Sequence, residues 1–432
     1  IVGGGPSGLT AAYFLLLAGH DVTVYDENPE FGGMLRYGIP MYRLPNDIIF
    51  QEAQLIADLG ATFVPNTKIG RDLSLDYLRE SFDAVYIAVG MWQSIPLGIE
   101  GEYLAGVYGG IDFLYDFCVG RPQRLGKKVA VIGGGNTAMD AARTAVRLGA
   151  EEVTVLYRRT NKDMPAEEIE ISEAEEEGIN FKFLVAPDSL AGKDGRLQSI
   201  KLQNMKAIPP EKPGERSRIE AIEGAFTELE LDSLIVATGQ RSNLSGLEDL
   251  ATDRRGLIDV AAGTYQTSLP GVFAGGDVIN NGNKIAIQAI ADAKHASYVI
   301  SNYLNGKEVS YVTDYHVVRN DVTREEILKT HTVADSAKMG HLTPGERRDN
   351  FHEIVAGYTE EQAQYEGDRC LECGCMDYFE CNLFDQFNQY DVEPERFAGK
   401  MSSFDHDNNH PYILIDPNKC VLCGMCVRVC DE

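Results

Sequence analysis

Eight of the nine cysteines of this 432-residue chain fall between Cys370 and Cys430. Cys420, Cys423, Cys426 and Cys430 succeed one another with two, two and three residues between them. Thiolates set so closely on a tight loop reach three corners of an iron–sulfur cubane, and this is the spacing of a bacterial ferredoxin run. In two-cluster ferredoxins the fourth cysteine of such a run serves the other cluster, so Cys430 is expected to ligate a cluster completed by residues past Glu432. Asp431 takes the place of the proline common after that cysteine. Cys370, Cys373, Cys375 and Cys381 are spaced less regularly. Four thiolates there hold a tetrahedral zinc or a [4Fe-4S] cluster, and spacing alone leaves both open. The nearby ferredoxin run favours a cluster, giving two [4Fe-4S] clusters in all. Such crowding is not a disulfide framework, and it points to a reducing, cytoplasmic compartment.

A second chemistry is written twice. Gly3-Gly4-Gly5-Pro6-Ser7-Gly8 and Gly133-Gly134-Gly135-Asn136-Thr137-Ala138 each precede an alanine-rich helical pattern. A short apolar run comes after each, Val22-Thr23-Val24-Tyr25 and Val153-Thr154-Val155-Leu156. A second pair of echoes closes with Gly90 and Gly239. In such turns Gly3 and Gly133 permit the tight strand-to-helix bend, and Gly5 and Gly135 let a pyrophosphate approach the backbone. Gly8 and Ala138 allow close helix–strand packing, with the helix N-terminus facing phosphate charge. Two copies, each with its flanking strands, predict two dinucleotide sites.

The residues just after the paired strands distinguish the ligands. Asp26 comes after the first, a carboxylate suited to ribose hydroxyls. Tyr157-Arg158-Arg159 stands at the matching place in the second, and two guanidinium groups suit a 2′-phosphate, so this site is expected to take NADP rather than NAD. The alternative is a solvated charged turn. FAD is expected at the first site. Asp277, after Gly275-Gly276, is placed for a ribityl or pyrophosphate group, and Gly32-Gly33-Met34-Leu35 supplies backbone for a flat ring. Ala289, in the helical pattern from Lys284 to Leu304, is counted with this site.

The elements needed to hold these groups imply an α/β chain of two Rossmann-like domains, glutathione-reductase-like or adrenodoxin-reductase-like, with a C-terminal iron–sulfur region. Residues 1–96 and 266–310 form the FAD domain, 97–123 a connector and 124–265 the NADP domain. Residues 311–365 read as a helical linker, and 366–432 as the cluster region, ferredoxin-like and truncated at 411–432. Only Ile1 and Val2 precede the first glycine, so the chain is expected to be a stretch of a longer polypeptide, or one whose ends are disordered. A formal net charge of −27 argues against nucleic acid and anionic membrane as partners. No apolar run is long enough to span a bilayer.

Taken together, Gly3 to Gly8, Gly32-Gly33-Met34-Leu35 with Tyr37-Gly38-Ile39-Pro40, Arg43-Leu44-Pro45, Gly133 to Asp140, Tyr157-Arg158-Arg159 with Met164-Pro165-Ala166, and Gly275-Gly276-Asp277 carry a resemblance. Over about residues 1–310 the chain closely resembles the NADPH-dependent small subunit of glutamate synthase and its relatives, including the large subunit of the NADH-dependent ferredoxin:NADP transhydrogenase. That resemblance implies FAD on the first fold, with Arg43, Gly276 and Asp277 among its contacts, and NADPH on the second, with Arg158 and Arg159 at its phosphate. Members usually begin with a cysteine-rich domain, and none precedes Ile1. Residues 411–419 also resemble the ferredoxin-like segment of formate dehydrogenase and hydrogenase subunits.

Residues 1–310 contain only Cys118, so a flavin here cannot pass electrons to a cysteine pair, and iron–sulfur clusters are the expected acceptor. Trp92 and the eight histidines read as ordinary surface or packing residues. No side-chain acid or base is required, because the flavin mediates hydride transfer. The expected function is a module passing electrons between NADPH, FAD and clusters, within a transhydrogenase or electron-bifurcating complex with an NADH-binding flavoprotein, iron–sulfur subunits and ferredoxin. Delivery of electrons to a glutamate synthase large subunit is the alternative. A non-catalytic, cluster-bearing relay scaffold is the alternative of another kind.

Overall fold

The computed structural model describes residues 1–209, 217–280, 285–307, 310–311, 323–329, 333–370, 381–390, 392, 404, 417–420 and 422–431. They divide into two compact units, residues 1–312 with 335–368, and residues 313–334 with 369–432.

The first unit opens with Val2, which bridges in parallel to Tyr25 on one side and Ile87 on the other. The glycine turn leads into α1 (Pro6–Leu17), where Pro6 occupies the first turn, a place in which its missing N–H costs nothing. Then come β1 (Thr23–Tyr25), α2 (Met34–Tyr37), α3 (Asn46–Asp58), β2 (Thr62–Val64), α4 (Leu75–Ser81) and β3 (Val85–Ile87). β1 pairs in parallel with β2, so Val2 sits between the β1–β2 pair and β3. This is the parallel arrangement the repeated pattern predicts.

The chain crosses to the second domain through β4 (Gln93–Ser94). Next in order are β5 (Val107–Gly109), α5 (Gly110–Cys118), β6 (Lys128–Ile132), α6 (Asn136–Arg147), β7 (Glu152–Tyr157), α7 (Glu168–Glu176), β8 (Asn180–Phe183), β9 (Val185–Lys193), β10 (Arg196–Ile208), β11 (Arg218–Glu230) and β12 (Ser233–Val236). A parallel sheet of order β5-β12-β6-β7-β8 forms the core, and β9, β10 and β11 make a separate antiparallel meander. Residues 97–123, read as a connector, thus supply an edge strand of this sheet, β5 against β12. Buried strands with little alternation, such as Val129-Ala130-Val131-Ile132, are what a sheet covered on both faces requires.

β13 (Gln240–Arg241) pairs with β4, and the chain returns to the first domain with β14 (Val272–Ala274), parallel to β3, and α8 (Ala286–Leu304). α1 packs on α8, and Ala11, Ala12, Ala293 and Ala296 of the two helices are all fully buried in one core. Small side chains let two helix backbones approach closely, which a Leu-lined contact would forbid.

Residues 335–368 lie in the same unit as the nucleotide domains rather than as a linker. Strands Gly340–His341 and Val355–Gly357 pair, and the short helix Pro344–Arg348 between them is opened by a Thr343/Glu346 capping box. The Ile354 N–H donates to the Tyr42 carbonyl at 3.0 Å, and Phe351 packs on Tyr42 and Phe117. The second unit contains helices Arg324–Ile327, Asn382–Gln389 and Met425–Asp431.

Candidate dinucleotide sites and cysteine centre

The first glycine turn is shaped by two close approaches. Gly3 has φ +101°, and a Cβ there would lie 2.4 Å from the Ala88 carbonyl oxygen. A Cβ on Gly8 would lie 1.8 Å from the Gly3 carbonyl oxygen, so α1 rests directly on the turn. Gly5 has open space, its nearest neighbour being the Gly33 Cα at 3.6 Å from an added Cβ. These are the contacts of a backbone cradle that leaves room for a pyrophosphate before a helix N-terminus. Gly8→Ala should therefore destabilise the protein by about 3 kcal/mol, since the clash is with backbone. The exchange Ala138→Gly at the equivalent place should cost only about 1 kcal/mol, because an alanine already fits there. Melting temperatures of the two variants check this, and equal losses would show that the two turns pack alike.

A cleft runs from this turn. Gly3, Gly5, Pro6, Ser7, Asp26, Gly33, Met34, Gly90, Asp277 and Ala289 all line it. Gly8 lies beneath the turn, and Gly276, with φ +75°, lies against the Ser7 side chain. Ser7 and the Tyr86 hydroxyl share a buried hydrogen bond at 2.8 Å. Burial raises the Tyr86 phenol above its usual range, with the Ser7 bond opposing, so it stays a neutral donor or acceptor.

Asp26 accepts from the Gly4 N–H at 2.7 Å and from the Asn28 backbone and side-chain N–H groups at 2.8 and 3.1 Å. Its burial raises the carboxyl pKa, while those bonds oppose the rise. An ionised carboxylate offers about four lone-pair sites. Three bonds leave capacity for a ribose hydroxyl, so the residue fits the ribose role while also fixing the turn at Gly4.

Arg43 stands elsewhere. Its guanidinium donates to both oxygens of Asp140 at 2.8 and 2.9 Å and pairs with Glu170 at 2.5 Å, and it does not line the cleft. Two carboxylates on the second domain claim it, which is a stronger draw than a solvent-facing cofactor edge. Sequence reasoning also passed over Trp92, Asn28, Lys68 and Asn243, which line the same cleft. The Trp92 ring meets Tyr115 edge-on at 6.1 Å, and the Tyr115 hydroxyl donates to Asn28 at 3.0 Å. The position of Trp92 just after the Gly90 turn was the available signal.

The second cleft is lined by Gly133, Gly135, Thr137, Arg158, Arg159 and Gly239, together with Gly134, Tyr157 and Pro165. Ala138 is buried beneath it. The segment after β7 folds over the turn: Ala166 N–H donates to the Gly134 carbonyl at 3.0 Å, and Glu167 N–H to the Asn136 side chain at 3.2 Å. This gives Met164-Pro165-Ala166 a physical task, closing the roof of the phosphate turn. Arg158 is exposed and Arg159 half-buried at the rim.

In the cysteine region Cys370, Cys420, Cys423 and Cys426 are exposed and Cys381 is half-buried. Cys373, Cys375 and the side chain of Cys430 lie outside the described residues. Leu422 (φ 56°) and Gly424 (φ 70°) put two left-handed residues between the cysteines, curling the chain around one side. Among the described residues no three His, Cys, Asp or Glu side chains are grouped closely enough to hold a metal, so the reading of a cluster here rests on the cysteine spacing. Cys118, by contrast, is held against the Ile39 carbonyl at 3.8 Å, and burial pushes its thiol up to about 12. It is inert as a nucleophile.

Two parallel sheets, each ending in a glycine turn under a helix N-terminus, define a two-dinucleotide oxidoreductase. The chain belongs to the pyridine nucleotide-disulphide oxidoreductase family, whose sequence pattern matches residues 1–296, and a 4Fe-4S binding domain pattern matches residues 413–432. It is 37% identical to the NADPH-Fe(3+) oxidoreductase subunit beta of Geobacter sulfurreducens, over 86% of this chain and 61% of that one. The NADP(+)-dependent formate dehydrogenase subunit beta of Moorella thermoacetica is 37% identical over 86% of this chain and 54% of its own. The small chain of Escherichia coli glutamate synthase [NADPH] is 36% identical over 70% of this chain and 68% of its own. The chain thus spans less than two thirds of the length of the first two. Among solved structures, Mycobacterium tuberculosis FprA in complex with NADPH shares the fold, with a TM-score of 0.62 at 22% identity over 71% of this chain and 84% of that one. Among the described residues no helix is long and apolar enough to cross a membrane.

Proposed function

We propose that the chain is the NADPH-dependent, FAD-bearing module of a cytoplasmic multi-subunit redox complex, passing electrons to [4Fe-4S] clusters on its own C-terminal region. The observation that carries this reading is the presence in one chain of two phosphate-cradling turns and a ferredoxin-type cysteine run, with a single, half-buried thiol in the nucleotide domains. Bound FAD would convert between the two-electron hydride of the nicotinamide and the one-electron steps of clusters. The protein's own residues bind and orient. Gly3, Gly5 and Ser7 hold the flavin pyrophosphate at the α1 N-terminus, Asp26 its ribose, and Asp277 its ribityl side. Gly133, Gly135 and Thr137 hold the second pyrophosphate, and Arg158 and Arg159 the 2′-phosphate that distinguishes NADPH.

The likeness to the two beta subunits covers 86% of the chain, against 70% for the glutamate synthase small chain. That difference favours a complex of the transhydrogenase or electron-bifurcating kind, with an NADH-binding flavoprotein, iron–sulfur subunits and ferredoxin as partners, over glutamate synthase. Anaerobic addition of NADPH to the purified protein should bleach its flavin absorbance at once, with NADH far slower, and iron and sulfide analysis should find both elements. A flavin that NADPH leaves oxidised would leave only the relay scaffold.

A further inference from the structure

The turn that carries the two rim arginines is pinned by one carboxylate. Thr160 opens the 3-10 turn Asn161–Asp163, and Asp163 closes it as a capping box. One Asp163 oxygen accepts from the Thr160 N–H at 3.2 Å and the Thr160 hydroxyl at 2.5 Å. Its other oxygen accepts from the Ser217 N–H at 3.0 Å, at the foot of β11. The Ser217 carbonyl in turn accepts from Nε of Arg159 at 3.2 Å. The Asp163 carbonyl accepts from the Tyr157 hydroxyl at 2.8 Å, and the Tyr157 ring fills the space where a Cβ on Gly134 would go. One residue therefore joins the phosphate turn, the meander and Arg159. Asp163 is only 7% exposed and does not line the cleft, so it acts through others.

We propose that Asp163 is a positioning residue for discrimination of NADPH from NADH, holding Ser217 so that its carbonyl fixes Nε of Arg159 and leaves the terminal nitrogens of that guanidinium for the 2′-phosphate. This deepens the reading of Arg158 and Arg159 as phosphate ligands and rests on it. Among the described residues only Nε of Arg159 is engaged, and Arg158 is exposed at the rim. A side chain already held in place loses less freedom on binding than a mobile one. Arg159 is thus the pre-organised member of the pair, and Arg158 orders only when ligand arrives. Burial disfavours charge on Asp163, but the bonds from Thr160 and Ser217 outweigh it and hold the carboxyl below its usual range. The clamp is therefore charged and intact at neutral pH.

The test is titration of the purified full chain with 2′,5′-ADP and with 5′-AMP, which differ by the 2′-phosphate alone. Asp163→Asn should raise the Kd for 2′,5′-ADP about tenfold and that for 5′-AMP by less than about twofold. The double variant with Arg159→Ala should bind 2′,5′-ADP no more weakly than Arg159→Ala by itself, because both act through one guanidinium. Equal weakening of both ligands, or additive losses in the double variant, overturns the proposal. If Arg159→Ala keeps its 2′,5′-ADP affinity, the underlying assignment of the arginines fails instead. Should Asp163→Asn not fold, Thr160→Val removes only the hydroxyl bond, and the same selective loss, about threefold, is expected of it. No selectivity in that variant overturns the proposal equally.

Discussion

Arg143→Ala should lower stability by about 3–5 kcal/mol, seen as a fall of roughly 10 °C in melting temperature. Arg143 is fully buried in α6, and its guanidinium pairs with Glu170, Glu173 and Glu177, each at 2.8 Å. Arg147, one turn on, donates to Glu177 at 2.6 and 3.0 Å, to the Asn350 carbonyl at 3.1 Å, and lies 4.0 Å above the Tyr42 ring. Arg347 completes the set against Glu173 and Glu176. Removing Arg143 leaves Glu177, which is 0% exposed, with part of its compensation gone. Burial alone would raise that carboxyl, and the bonds from Arg147 and Arg143 are what hold it below its usual range. A loss under about 1 kcal/mol would show that water reaches the cluster and solvates the stranded charge.

The second large effect belongs to ligand choice. Arg158→Ala with Arg159→Ala should reduce the preference for NADPH over NADH by roughly 100-fold in kcat/KM, since each hydrogen bond to a charged phosphate contributes about 1.5–3 kcal/mol. The loss should fall mainly on KM for NADPH. Steady-state rates with both nucleotides measure it. A KM for NADPH that stays where it was would place the 2′-phosphate elsewhere and reduce the two arginines to a solvated turn.

The parts of this fold that were legible in the sequence are those governed by local rules. The glycine turns at Gly3 and Gly133, their buried strands and the helices behind them announce themselves, because backbone approach and burial restrict the residue types at each position. Arg43 was misleading because its motif is local while its partners, Asp140 and Glu170, are on another domain. The face of α6 formed by Asp140, Arg143 and Arg147 matches that of Glu170, Glu173 and Glu177 along α7 and its end. Either face alone looks like a solvated charged helix side, and only their meeting makes it an interior. β5 was hidden for the same reason: Val107-Tyr108-Gly109 is too short to show a period, and β12 determines its state. The clamp at Asp163 joins residues fifty-four positions apart, beyond the reach of any spacing rule.

The family pattern ends at residue 296, but the second nucleotide domain does not finish there. Arg347, Asn350 and Phe351 bolt onto α6, α7 and the Tyr42 loop from a stretch some fifty residues downstream. A minimal flavoprotein cut just after α8 would bare an acidic seam and a tyrosine face that water has never seen in the intact chain. The line drawn by the family pattern and the line drawn by packing therefore fall at different places in the chain.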